Sequence, residues 1–121
     1  MQPQFGLEPL DSRVLFSAPT SIANLHIQVN IRSASDGKVG TFSLNIGKHG
    51  HNFVLVAGTK QVKGAGTCSY AVTGASTGVI TFDDTLDGTS GTVAMTFTVA
   101  NGGTLKVNGS QGLYEKGVFS F

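Results

Sequence analysis

Apolar and polar residues alternate along most of this chain with a period of two. From Asn24 to Arg32, Leu25, Ile27, Val29 and Ile31 fall in one phase and His26, Gln28, Asn30 and Arg32 in the other. The same beat returns with Phe42, Leu44 and Ile46, and then with Phe53 and Leu55, where Val54 and Val56 are also apolar. It continues through Cys68, Tyr70 and Val72, through Ile80 and Phe82, and through Val93, Met95, Phe97 and Val99. Leu105 with Val107, and Phe119 with Phe121, complete the series. Side chains alternate between faces of a strand, so this pattern predicts half-buried strands of an antiparallel sheet. Turn signals separate the runs, among them Asp36-Gly37, Asp87-Gly88, Asn101-Gly102 and Asn108-Gly109. Such pairs supply the positive φ of tight hairpins. No stretch carries a 3.6-residue apolar repeat. The expectation is an all-β antiparallel meander of eight strands, a small barrel, with a β-sandwich as the alternative.

Residues 1–21 break the pattern. Pro3, Pro9 and Pro19 are the only prolines among 121 residues. Proline removes a ladder donor and is kept out of central strands. Its confinement predicts a flexible leader over residues 1–21 and a single all-β domain over residues 22–121.

Composition narrows the class. Charged residues make up only 12% of the chain against 40% apolar ones, where soluble domains usually carry roughly 25% charge. Ser, Thr, Asn and Gly solvate the surface instead, a balance common in exported β-proteins. The net charge is +1 and no basic run occurs, which argues against nucleic-acid binding through phosphate neutralisation. No apolar run approaches the roughly 18 residues of a membrane-spanning helix. Charge is nevertheless uneven. Lys38, Lys48, Lys60 and Lys63 occupy an acid-free stretch, after which Asp83, Asp84 and Asp87 arrive together.

Candidate chemistry is sparse. Asp83, Asp84 and Asp87 lack the alternate acids and closing Glu of an EF-hand loop. They are weak calcium candidates and are read first as a hairpin turn. His49 and His51, with His26, offer three imidazoles, but a His-Gly-His turn is more simply a polar hairpin tip. Cys68 falls in the inner phase, where a small buried hydrophobe is expected. No nucleophile elbow, P-loop or dinucleotide fingerprint occurs. Paired carboxylates could serve glycoside hydrolysis, but adjacent turn aspartates with no Trp and two Tyr make a poor sugar cleft. The expectation is no catalytic residue, no cofactor and no bound metal. A barrel interior remains as a binding site. The bulk of the inner-phase residues (Ile27, Ile31, Phe42, Leu44, Phe53, Leu55, Tyr70, Ile80, Phe82, Met95, Phe97, Leu105, Phe119 and Phe121) predicts a filled lumen rather than a pocket.

Within the leader, Leu10, Asp11, Ser12, Arg13, Val14, Leu15, Phe16, Ser17 and Ala18 resemble the N-terminal LEPR-XLL type motif of exported proteins of planctomycete-like bacteria. Asp11 stands for Glu and Phe16 for the second Leu. Leu7-Glu8-Pro9 echoes the start of the motif without its Arg. The resemblance implies sorting or export through surface machinery. Downstream, Tyr70, Thr73, Gly74, Ala75, Gly91, Thr92, Phe97, Gly103, Thr104, Gly117 and Phe119 make the chain similar to Thr/Gly-rich β-domains of exported proteins in the same bacteria. That second likeness is structural and implies no catalytic residues. Together these readings predict a non-enzymatic β-domain of the cell surface or periplasm with a structural or binding role. The alternatives are a lipocalin-like barrel holding a small apolar ligand and a minor hydrolase.

Overall fold

The computed structural model describes residues 16–121. Residues 1–15, which include most of the stretch expected to be an export-type leader motif, lie outside the described residues. Eight strands follow in order: β1 His26–Ala34, β2 Gly40–Ile46, β3 Asn52–Ala57, β4 Gly64–Gly74, β5 Thr77–Asp84, β6 Thr89–Val99, β7 Gly102–Gly109 and β8 Tyr114–Ser120. Each pairs antiparallel with the next, and β1 pairs with β8, so the sheet closes as a barrel. Closure removes the exposed edges that an open sheet of this composition would present. A sandwich is thereby excluded.

The alternation in the sequence becomes the inside and outside of the barrel. Ile27, Val29, Ile31, Phe42, Ile46, Phe53, Cys68, Ile80, Val93, Met95, Phe97, Leu105, Val107 and Phe119 are buried in one core. Two residues leave the inner phase that the sequence assigned to them. Val99 is 55% exposed because the register of β6 against β7 shifts between Phe97 and Val99. Val72 is 48% exposed near another shift, between Val72 and Gly74. Both lie at strand ends.

The meander sorts its connections to two ends. The β2–β3, β4–β5 and β6–β7 turns share one end with the entry to β1; the other four connections form the opposite end. Side-chain size is graded between them. Toward the first end, Phe97 and Phe119 both face Gly103, and Met95 faces Leu105. Toward the second, Val93 faces Val107, and Val107 faces Glu115.

The first end is sealed. Phe97 meets Phe119 edge to face at 5.1 Å, and Phe121 lies 6.2 Å from each of them. Residues 18–25 run across this end from the β4–β5 turn to the β2–β3 turn. The Ala18 N–H donates to Ala75 O at 3.1 Å, and the Asn24 N–H to Gly47 O at 2.9 Å. Ile22 is fully buried. The Tyr70 hydroxyl donates to Pro19 O at 2.8 Å. Gly78 makes room for that ring, since a Cβ there would strike the Tyr70 phenol.

Candidate functional site

The second end is open. The ladder between β3 and β4 is short, running only from Asn52 opposite Thr67 to Leu55 opposite Gly64. The chain between them departs from the wall and forms a strap over the mouth. Thr41 and Thr59 stitch its root to β2. The Thr41 N–H donates to Thr59 Oγ1 at 2.8 Å, the Thr59 N–H to Thr41 Oγ1 at 3.2 Å, and the Lys60 N–H to Thr41 O at 3.0 Å. These bonds aim Lys60 inward. Its ammonium donates to Lys38 O and pairs with Glu115 Oε2 at 3.2 Å. Both side chains are more than nine-tenths buried. The strap is thus tied from β2 across to β8.

Beneath it lies a cavity of about 290 Å³. It is walled chiefly by Phe42, Leu44, Phe53, Leu55, Ile80 and Phe82, reaches Ile46 and Cys68, and is bordered across the lumen by Val93, Val107 and Glu115. Phe53 and Phe82 meet edge to face at 6.3 Å. The rim carries Asp36, Lys38, Lys63 and Asp87. The lumen is therefore filled at the sealed end and hollow at the open one, where a wholly filled lumen is expected from the sequence. The large residues are all present on the inner face, but the aromatic cluster of β6 and β8 gathers them at one end. At the other end, valines and two acids, Asp84 and Glu115, occupy the inner phase and Lys60 reaches in from the strap, and these groups do not fill space as the aromatic cluster does.

Asp84 is the second buried carboxylate here, at 3% exposure. It follows Ile80 and Phe82 in phase, while Asp83 faces outward and is exposed. Asp84 Oδ1 accepts N–H bonds from Ala65 at 3.2 Å and from Leu86 and Asp87 at 3.1 Å each. Asp87 Oδ1 in turn accepts from the Thr89 N–H and hydroxyl. The structure thus divides the three calcium candidates: Asp83 outside, Asp84 inside and Asp87 on the rim, with the last two serving the turn. Among the described residues, no group of three His, Cys, Asp or Glu side chains could hold a metal ion. His49 and His51 lie exposed in the β2–β3 turn, and His26 opens β1 on the outer face opposite Asn45.

Burial pushes the Cys68 thiol above its ordinary range and so keeps it protonated and weakly nucleophilic. Its Sγ lies 3.7 Å from Gly50 O. At the rim, the Lys38 N–H donated to Asp36 holds that carboxyl below the usual carboxylate range, and the charges of Lys60 and Lys38 add to the effect.

No family model, curated protein or solved structure matches this chain. The site therefore stands on its own geometry. Two of its central residues, Lys60 and Glu115, were not singled out by sequence reasoning. Glu115 carried a signal: it is in phase with Phe119 and Phe121, so alternation places an acid on the inner face. Lys60 carried none, because it lies in a connection where period two does not apply.

Proposed function

We propose that this protein binds a small, largely apolar molecule inside the open half of the barrel, in the manner of a lipocalin-like carrier. The apolar-walled cavity of about 290 Å³ with one charged mouth carries the reading. Small-molecule sites are typically concave and apolar, with a few convergent polar groups, at about 300 Å³ and upward. This cavity stands at the small end of that range. Of the two non-enzymatic roles expected from the sequence, the cavity favours binding over a purely structural one. A catalytic role is less well supported, since the buried ionisable groups already serve structure: Lys60 with Glu115, and Asp84 with the β5–β6 turn. The likeness of residues 10–18 to an export-type motif supports placing this binding outside the cytoplasm, at the cell surface or in the periplasm.

The test is a titration of the protein with 1-octanol, an uncharged amphiphile, followed by amide chemical shifts. Saturable shifts should appear at Leu44, Leu55, Ile80 and Phe82. Val107→Phe, which places a ring in the open half, should abolish them. If octanol causes no saturable shifts, or if the shifts survive Val107→Phe, the reading fails.

A further inference from the structure

We infer that the ligand of this cavity carries a cationic head, an alkyl or arylalkyl ammonium whose nitrogen is met by Asp84. The inference rests on the binding role proposed above.

Three buried charged side chains line the cavity: Lys60, Asp84 and Glu115. Lys60 and Glu115 neutralise one another across 3.2 Å. That is the only ion pair within 4.0 Å among the described residues, so Asp84 has no cation. The buried set holds one cation against two carboxylates, a surplus of one negative charge. In a low-dielectric cavity, such a surplus favours a cationic guest over a neutral or anionic one.

The carboxylate is also prepared geometrically. Three backbone N–H groups converge on Oδ1 and fix its position. The second oxygen lies over Gly64, where a Cβ would strike both Asp84 Oδ2 and Leu55 Cδ1. Leu55 is a wall residue of the cavity. Among the described residues, no protein donor reaches Oδ2, so this oxygen of a buried residue is held in place by its twin and keeps access to the cavity it lines. Below it on the same face of β5 is Phe82, paired edge to face with Phe53. Aromatic faces attract an ammonium and accept its apolar body.

An anionic head fits less well. Lys60 is the only buried cation of the cavity, and it is already engaged by Glu115 and Lys38 O. A carboxylate entering there would compete with Glu115 and approach Asp84. Lys38 and Lys63 are exposed at the rim, where solvent screens their attraction.

Octylammonium, 1-octanol and octanoate share one tail and separate the head from the lumen. Titrated into the full chain at one ionic strength and pH 7, octylammonium should bind about tenfold more tightly than octanol, and octanoate more weakly than either. Asp84→Asn should remove the ammonium preference while changing octanol affinity less than about threefold. Glu115→Gln should weaken the preference without abolishing it, since it removes the surplus charge but leaves Asp84 to meet the nitrogen. The ranking in the unmodified protein needs no variant, so it stands even where Asp84→Asn loosens the β5–β6 turn. Octanoate or octanol equal to octylammonium overturns the cationic head and leaves the binding role intact. A preference abolished by Glu115→Gln and untouched by Asp84→Asn overturns the assignment to Asp84. Failure of octanol itself to bind removes the binding role and this inference together.

Discussion

The two ends of this barrel are built from the same strands and solve opposite problems. At the sealed end, Phe97, Phe119 and Phe121 interlock, and residues 18–25 are bonded to the β4–β5 and β2–β3 turns. At the open end, the inner phase carries Val93, Val107, Glu115 and Asp84, and a strap is held by an ion pair. A glycine makes room at each: Gly78 for the Tyr70 ring, Gly64 for the Asp84 carboxylate. The difference teaches that barrel closure does not decide whether the lumen is filled. Eight strands enclose a space that side chains just fill, so the distribution of bulk along each strand decides. Here large residues are concentrated at one end, and that end supplies cohesion while the other supplies access.

The sharpest way to break this contrast is to delete bulk at each end in turn. Phe97→Ala should cost about 3–5 kcal/mol, because the lost ring is fully enclosed and its two aromatic partners cannot collapse into the space. Val107→Ala borders a cavity that already exists, so it should cost no more than about 1–2 kcal/mol. Urea unfolding of both variants measures the difference. Similar losses at the two sites would mean that the open half is as tightly packed as the sealed one.

The strap comes next in size. Glu115→Leu leaves the Lys60 ammonium under the strap without its counter-charge, a change that should destabilise by about 3 kcal/mol. Combining it with Lys60→Met removes both charges, and most of the loss should return, since a buried pair is often replaceable by apolar residues of similar size. The same urea experiment reads the cycle. A double variant no more stable than Glu115→Leu alone would show that the loss comes from packing around β8 rather than from the stranded charge.

Much of this architecture was legible in the sequence, and the exceptions have physical causes. Period two placed the fourteen inner-phase residues from Ile27 to Phe121 in or against the core. The turn dipeptides separated the strands. Val72 and Val99 escaped because a register shift changes nothing in composition. The state of the lumen escaped for a different reason. Alternation tells which residues point inward but not at what height each stands, and height depends on the stagger of neighbouring strands. Asp84 and Glu115 stand in phase with Phe82 and Phe119, a signal the sequence carries, although Asp84 is read there only as a turn acid and Glu115 is not singled out. Lys60, which completes their site, lies in a connection, and only the folded strap brings it to β8.

The smallest effect should appear at alkaline pH, and it again involves both halves. Burial raises the Tyr70 hydroxyl at the sealed end and the Cys68 thiol on the cavity wall above their ordinary values. In the unfolded chain each group releases its proton at a lower pH than in the folded protein. The unfolded state therefore binds fewer protons as pH rises, and stability falls with pH. Their contribution is complete below the ordinary thiol range, near pH 8.5, and is lost progressively as pH climbs through the raised folded values. Tyr70→Phe removes one of the two groups and also the bond to Pro19 O, so it should cost about 1 kcal/mol at neutral pH. Above pH 10 the gap between variant and parent should narrow, because only the parent still loses stability through Tyr70. Thermal unfolding from pH 7 to 11 resolves the two parts. A gap that stays constant over that range would place the Tyr70 hydroxyl in contact with solvent and open the end that residues 18–25 cross.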